Sequence, residues 1–346
     1  MRTWRGLGAI GLVTVLVSAV AACGSSDDTG DGGGESRAKV RLALDWTPNV
    51  NHTGIFVAQQ QGWFGEAGVD VEILPYNNTS PDTLVSSGAA DFGISFQDSF
   101  TFSKASGADI TSVMAIVQHW ATAIAVRGDR TDVTTPADLD GKIYGGFGAA
   151  YEEPKMREVI RNAGGRGEFS TIVLGTAAYE AVYAGEADFT EPFLNVEGVQ
   201  AELRGTPFKT FSYTDYGFPD SYNVLLVGNT PWLADNRDTA SHFVRAVQRG
   251  YAFAAEDPEG STQLLKQFDA AAFGEEEMVR RGVTMMAEQY LLDDNGVVGT
   301  QTMEVWEGLC GFLFDAGVLA GPSGSPLTER PDFSTWFTND HLEPGS

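Results

Sequence analysis

Cysteine, histidine and basic residues are all scarce in this chain, and each shortage excludes a class of chemistry. Its 346 residues include two cysteines and four histidines. Cys23 is accounted for below as an N-terminal feature, so only Cys310 is left as a thiol, and neither a disulfide framework nor a cysteine metal site is possible. The histidines show no metal-ligand spacing and no G-x-S-x-G elbow occurs, which leaves a secreted hydrolase without a base, a zinc site or a nucleophile. No catalytic residue and no cofactor is expected. Lys and Arg number 22 against 47 Asp and Glu, a formal charge of −25. That balance excludes nucleic acid and anionic lipid surfaces as partners and makes a strongly anionic ligand unexpected. Cys310 lies in the apolar run Trp306-Glu307-Gly308-Leu309-Cys310-Gly311-Phe312 and reads as a buried structural residue.

Long apolar runs are also lacking, with one exception at the N-terminus. Arg2 and Arg5 precede an apolar stretch from about Leu7 to Ala22 that ends at a cysteine. A basic start, a short apolar centre and small residues before the break are the marks of a secretory signal. The stretch is too short to read first as a spanning helix. Val20-Ala21-Ala22-Cys23 resembles the bacterial lipobox, in which the cysteine receives diacylglycerol and becomes the mature N-terminus. An ordinary cleaved signal, with Cys23 incidental, is the plainer alternative. The following GSSDDTGDGGGES has the composition of a flexible tether. The expected divisions are a signal peptide over 1–22 and a tether over 23–38. A first lobe then begins at 39–126, a second lobe spans 127–221, and a return strand with C-terminal helices on the first lobe fills 222–337.

Within the folded part, short strands alternate with helices. Val40, Leu42 and Leu44 alternate as in a strand, Ser80-Pro81 reads as a cap with proline at the first helical position, and ITSVMAIV is a continuous apolar strand. A second cycle of the same kind starts at KIYGG, and no short-period repeat is present. From Thr230-Pro231 the chain turns mostly helical, with Phe243, Val247, Tyr251 and Ala254 forming one apolar stripe. The pattern predicts two α/β lobes with parallel sheets covered on both faces, a helical tail packed back on the first lobe, and a two-strand hinge near Ala123–Gly128 and Ser221–Val227. Ligands of such sheets bind outside the carboxyl ends of the strands, which here would face each other across a cleft.

Polar and aromatic residues concentrate at those strand ends. The first strand is followed by Asp45-Trp46-Thr47-Pro48-Asn49-Val50-Asn51-His52, the third by Ser95-Phe96-Gln97-Asp98-Ser99, and the fourth by Gln118-His119-Trp120. Capping and core packing are the alternatives for several of these residues, Ser95 and Trp120 above all. In the second lobe, Gly145-Gly146-Phe147-Gly148-Ala149-Ala150-Tyr151-Glu152-Glu153 joins a strand to a helix without the spacing of a phosphate loop. Glu152 and Glu153 disfavour an anion there, or simply suit the helix dipole. Glu191 follows a buried strand, where a carboxylate is costly unless it is paired or faces the cleft. The candidate ligand-binding residues are Asp45, Trp46, Asn49, His52, Ser95, Gln97, His119, Phe147, Tyr151, Glu152, Glu191 and Tyr222. Aromatic planes, carboxylates and amides without a basic cluster suit a flat, neutral or weakly basic nitrogen heterocycle.

The string LALDWTPNVNHTGIFVAQQQGWFGEAGVDVEIL resembles the opening of bacterial periplasmic proteins that bind thiamine-pyrimidine precursors for ABC transporters. SSGAADFGIS, GGFGAAYEEP and the EPF segment fall in the same order, and the resemblance covers roughly Val40 to Gly228. It implies a type II periplasmic-binding fold of two α/β lobes. The function implied is an extracytoplasmic, lipid-anchored solute binder that is monomeric and hands hydroxymethylpyrimidine or formylaminopyrimidine to an ABC permease. Trp46 and a second-lobe aromatic would sandwich the ring, Glu191 would take its amino edge, and Asn49, His52, Ser95 and Gln97 would fix its substituents. Riboflavin or another flat heterocycle is the alternative ligand. A related fungal enzyme builds the pyrimidine from its own lysine-bound pyridoxal phosphate and a histidine. Those two positions correspond to Ser95 and Ser99, and the enzyme's cysteine-rich iron motif has no counterpart near Asp215–Val227, so the enzyme reading is set aside.

Overall fold

The computed structural model describes residues 37–343, so the expected signal peptide, the expected lipidation site Cys23 and nearly all of the expected tether lie outside the described residues. Ten strands form two five-stranded sheets, one per lobe. In the first lobe these are β1 (Ala38–Ala43), β2 (Val69–Leu74), β3 (Phe92–Ser95), β4 (Ile110–Val117) and, late in the chain, β10 (Val224–Asn229). The second lobe holds β5 (Ile124–Arg127), β6 (Ile143–Gly146), β7 (Ser170–Val173), β8 (Phe189–Thr190) and β9 (Phe208–Phe211). The orders are β2-β1-β3-β10-β4 and β7-β6-β8-β5-β9. All residues of β3 and β10 are buried, as continuous apolar strands covered by helices on both faces require.

The sheets are mixed, and this corrects the all-parallel expectation. β10 runs antiparallel to both β3 and β4, and β5 runs antiparallel to both β8 and β9. These are the two strands that enter from the other lobe. A chain crossing the cleft arrives at the end where the parallel strands finish, so it must run back against them. The lobe boundary moves accordingly. β5 belongs wholly to the second sheet and β10 wholly to the first, so the connections are 118–123 and 212–223 rather than the strands themselves. The two connections are bonded to each other: Ala121 N–H donates to Asn223 Oδ1 at 2.7 Å and Trp120 Nε1–H to the Pro219 carbonyl at 2.9 Å.

The helices Arg237–Glu256, Pro258–Phe268 and Glu276–Gln289 join the first-lobe core, and the stripe Phe243, Val247, Tyr251 and Ala254 is fully buried there. Gly250 marks the tightest crossing: a Cβ on it would sit 1.9 Å from the Gly54 carbonyl oxygen, so only glycine lets the helices Thr53–Gln60 and Arg237–Glu256 approach this closely. The tail does not pack on the first lobe alone. The helix Met303–Asp315 sends Trp306 and Cys310 toward Phe100 of the first lobe, and Leu309 and Leu313 toward Tyr213 and Phe218 on the second-lobe side. Cys310 is buried, with its thiol pushed up to about 12 by burial. No helix among the described residues is long and apolar enough to cross a membrane.

Candidate functional site

The carboxyl ends of β1, β3 and β8 converge on a cavity of about 190 Å³ between the lobes. On the first-lobe side the wall is a turn stabilised by its own sequence. Asn49 caps the short helix Val50–His52: its side chain accepts from Asn51 N–H at 2.9 Å, and its own N–H donates to His52 Nδ1 at 3.2 Å. With Nδ1 acting as acceptor, the His52 ring carries its proton on Nε2, which donates to Asp45 Oδ1 at 2.8 Å. A buried imidazole thus aims a carboxylate at the cavity. Asn51 is fixed from behind, its carbonyl accepting from Tyr251 at 2.8 Å and its side-chain oxygen from Asn195 at 2.7 Å. Trp46 stands above, 5.5 Å from Tyr76 and 5.6 Å from Phe147 of the opposite lobe.

On the second-lobe side the wall combines local contacts with side chains reaching over long sequence distances. Glu152 accepts from the N–H groups of Phe147 at 2.8 Å and Ala149 at 2.7 Å, which folds the glycine loop back on the helix Glu152–Asn162. Gly146 is required for this, since a Cβ there would come within 2.5 Å of the Glu152 carboxylate. Burial pushes the Glu152 carboxyl up, against the two backbone donors that favour its charge. One turn on, Lys155 donates to Asp98 Oδ2 and to Glu191 Oε1, both at 2.6 Å, with all three groups buried. The aromatic rings of Tyr151, Tyr213 and Trp120 surround the ammonium at 4.8, 5.0 and 5.3 Å. Burial works against the ammonium, but Asp98 and Glu191 outweigh it and hold its pKa above the usual lysine value. Thr122 adds a hydroxyl donor to Glu191 at 3.1 Å. Glu197, on the short helical turn Leu194–Gly198, accepts from Phe193 N–H at 3.0 Å. Burial, with some repulsion from Asp45, pushes its carboxyl up to about 7 despite that backbone donor.

Of the residues expected from sequence, Asp45, Trp46, Asn49, Ser95, Phe147, Tyr151 and Glu191 line the cavity. Five do not. His52 is buried behind Asp45 and acts only through it. Gln97 turns into the interior, where its amide donates to the Val305 carbonyl and accepts from Tyr222 N–H. Tyr222 is buried against Trp306, with its hydroxyl accepting from Thr302 N–H. His119 is half exposed and paired with Asp220 at 2.6 Å. Glu152 serves the loop rather than the cavity. Trp46 and Phe147 meet edge to face, with their planes at 86°.

Sequence reasoning missed Asp98, Lys155, Glu197 and Tyr179, all on the cavity wall. Beside the expectation of no basic cluster, the wall carries a single buried amine, Lys155. One signal was available. Tyr151, Lys155 and Val159 fall at i, i+4 and i+8, so the lysine lies on the stripe that faces the core. A lysine on an apolar stripe is seldom buried unless it is paired.

Comparison with known proteins fixes the kinship. The family described as NMT1/THI5 like matches residues 49–261. The chain belongs to that family. Among curated members, it is 28% identical over 307 residues to a formylaminopyrimidine-binding protein of Halalkalibacterium halodurans, covering 85% of this chain and 92% of that one. It is 26% identical over 238 residues to a 4-amino-5-hydroxymethyl-2-methylpyrimidine phosphate synthase of Uromyces fabae, covering 65% and 70%. The NMT1/THI5-like family thus spans binding proteins and synthases. Among solved structures, the ligand-binding component of an ABC-type import system from Staphylococcus aureus superposes with a TM-score of 0.68 at 15% identity, covering 90% of this chain and 99% of that one. The alkanesulfonate-binding protein of Xanthomonas axonopodis pv. citri gives 0.66 at 14% identity, covering 88% and 99%. Both share the two-lobed periplasmic-binding fold with this chain.

Proposed function

We propose that this chain is the extracytoplasmic solute-binding component of an ABC importer, anchored through Cys23. Its cargo in the interlobe cavity is an aminopyrimidine precursor of thiamine, the hydroxymethyl or formylaminomethyl compound. The observation that carries the reading is the make-up of the cavity wall. Aromatic rings line it together with four carboxyl groups, Asp45, Asp98, Glu191 and Glu197, and one cation that is already paired. An aminopyrimidine supplies a flat apolar face for Trp46 and N–H donors for the carboxylates. A sulfonate or nitrate finds no free cation here. The kinship with a formylaminopyrimidine-binding protein points to the same cargo.

Binding without chemistry is the second half of the proposal. Ser95 and Ser99 stand where the synthase resemblance implies a lysine and a histidine. Ser99 donates its hydroxyl to the buried Asp82 at 2.9 Å, so neither position offers an amine or an imidazole to a substrate. Lobe closure over the ligand would present the surface that the permease reads. The test is to purify the protein natively, denature it, and identify what it releases by mass spectrometry. One equivalent of an unaltered aminopyrimidine is expected. Release of a flavin would keep the transport role and change the cargo, and conversion of added pyrimidine would overturn the non-enzymatic reading.

A further inference from the structure

Among the described residues, Lys155 is the one amine on the cavity wall, and its hydrogen-bonding capacity is already committed. Two of its three protons go to Asp98 and Glu191 at 2.6 Å. The rest of the ammonium is enclosed by the rings of Tyr151, Tyr213 and Trp120. It therefore has no donor to offer a ligand. Its effect falls on its partners: Asp98 and Glu191 are both ion-paired to it, and a carboxylate in an ion pair only accepts hydrogen bonds. Asp98 receives a further donor from Ser99 N–H at 2.8 Å, and Glu191 one from Thr122 at 3.1 Å. A carboxylate has about four acceptor positions, so each keeps capacity toward the cavity. The grouping also spans the cleft, since Asp98 belongs to the first lobe and Lys155 and Glu191 to the second.

We infer that Lys155 is a selectivity-determining residue: by holding Asp98 and Glu191 as acceptors, it makes the cavity floor admit heterocycles with an exocyclic amine and reject their oxo counterparts. This inference rests on the reading of the cavity as a pyrimidine site. Without the cation the two carboxyl groups lose the ion pairs that fix them as acceptors, and discrimination between amine and carbonyl disappears.

The experiment is calorimetric titration of the whole chain with 4-amino-5-hydroxymethyl-2-methylpyrimidine and with its 4-oxo counterpart. It compares the wild type with Lys155→Met and with the double variant Lys155→Met/Asp98→Asn. The double variant removes one negative charge together with the positive one, which keeps the net charge of the floor and protects folding. The wild type is expected to prefer the amine by ~10–100-fold. In both variants the ratio is expected to fall to within about threefold of unity. Variants that keep the wild-type ratio, or that lose both probes alike, overturn the role of Lys155 alone. A wild type that binds neither probe overturns the pyrimidine reading, and this inference with it.

Discussion

On the first-lobe side of the cleft, most polar groups are held by bonds between residues a few positions apart, although Asn51 is also fixed by Tyr251 and Asn195. Asn49, Asn51, His52 and Asp45 orient one another within a single turn. On the second-lobe side, the corresponding groups are held from afar: Lys155 takes partners 57 and 36 residues away, and Glu191 is reached by Thr122 from 69. The first wall is largely set once its turn folds, with Asn51 then locked by Tyr251 and Asn195. The second exists only when helix, strand end and crossing segment have all assembled, and one of its members, Asp98, belongs to the other lobe.

Removing the aromatic anchor of the local wall should have the largest effect. Trp46→Ala is expected to weaken aminopyrimidine binding by about 2–4 kcal/mol, whereas Phe147→Ala on the far wall should lose only about 1 kcal/mol. Calorimetry on the two variants decides the order, and a reversed order would make the distributed wall the recognition surface.

Next comes the buried acid of the distributed wall. Glu197 is raised from 4.5 to about 7. The folded state therefore holds this proton more tightly than the unfolded chain does, and its contribution to stability, intact below pH 4.5, is lost as pH rises to about 7. Glu197→Gln should match the wild type near pH 4.5 and exceed it by about 3 kcal/mol at pH 8 in urea unfolding. A difference that does not vary with pH would contradict this assignment.

Behind the local wall, His52→Ala leaves the Asn49 N–H without its acceptor and Asp45 without its donor. It should cost about 2 kcal/mol of stability and about tenfold in affinity, read by unfolding and titration of the same sample. The smallest effect is expected at His119, whose ion pair with Asp220 is about half exposed on both sides. His119→Ala should change stability by less than about 1 kcal/mol and leave binding untouched. A clear loss of affinity there would return His119 to the site.

The same contrast explains what could be read in the sequence. The α/β alternation, the two lobes and the helical tail follow from periodicity and turn residues, because these are properties of neighbouring residues. So does the Asp45–Asn49 turn, whose polar and aromatic residues coincide at a strand end. Antiparallel β5 and β10 were not legible, because strand direction depends on which lobe the chain has just left. The sequence puts His52 and Gln97 at strand ends, but strand-end position says nothing about which way a side chain turns. Lys155 escaped because its partners, Asp98 and Glu191, are distant in sequence, although its place on an apolar stripe pointed inward.

The most direct test of the account is a crystal structure of the chain with 4-amino-5-hydroxymethyl-2-methylpyrimidine bound. One ligand is expected in the interlobe cavity, its ring against Trp46 and its exocyclic amine within hydrogen-bonding distance of the Glu191 carboxylate. A ligand seated elsewhere, or one whose amine turns away from the carboxylates, would contradict it.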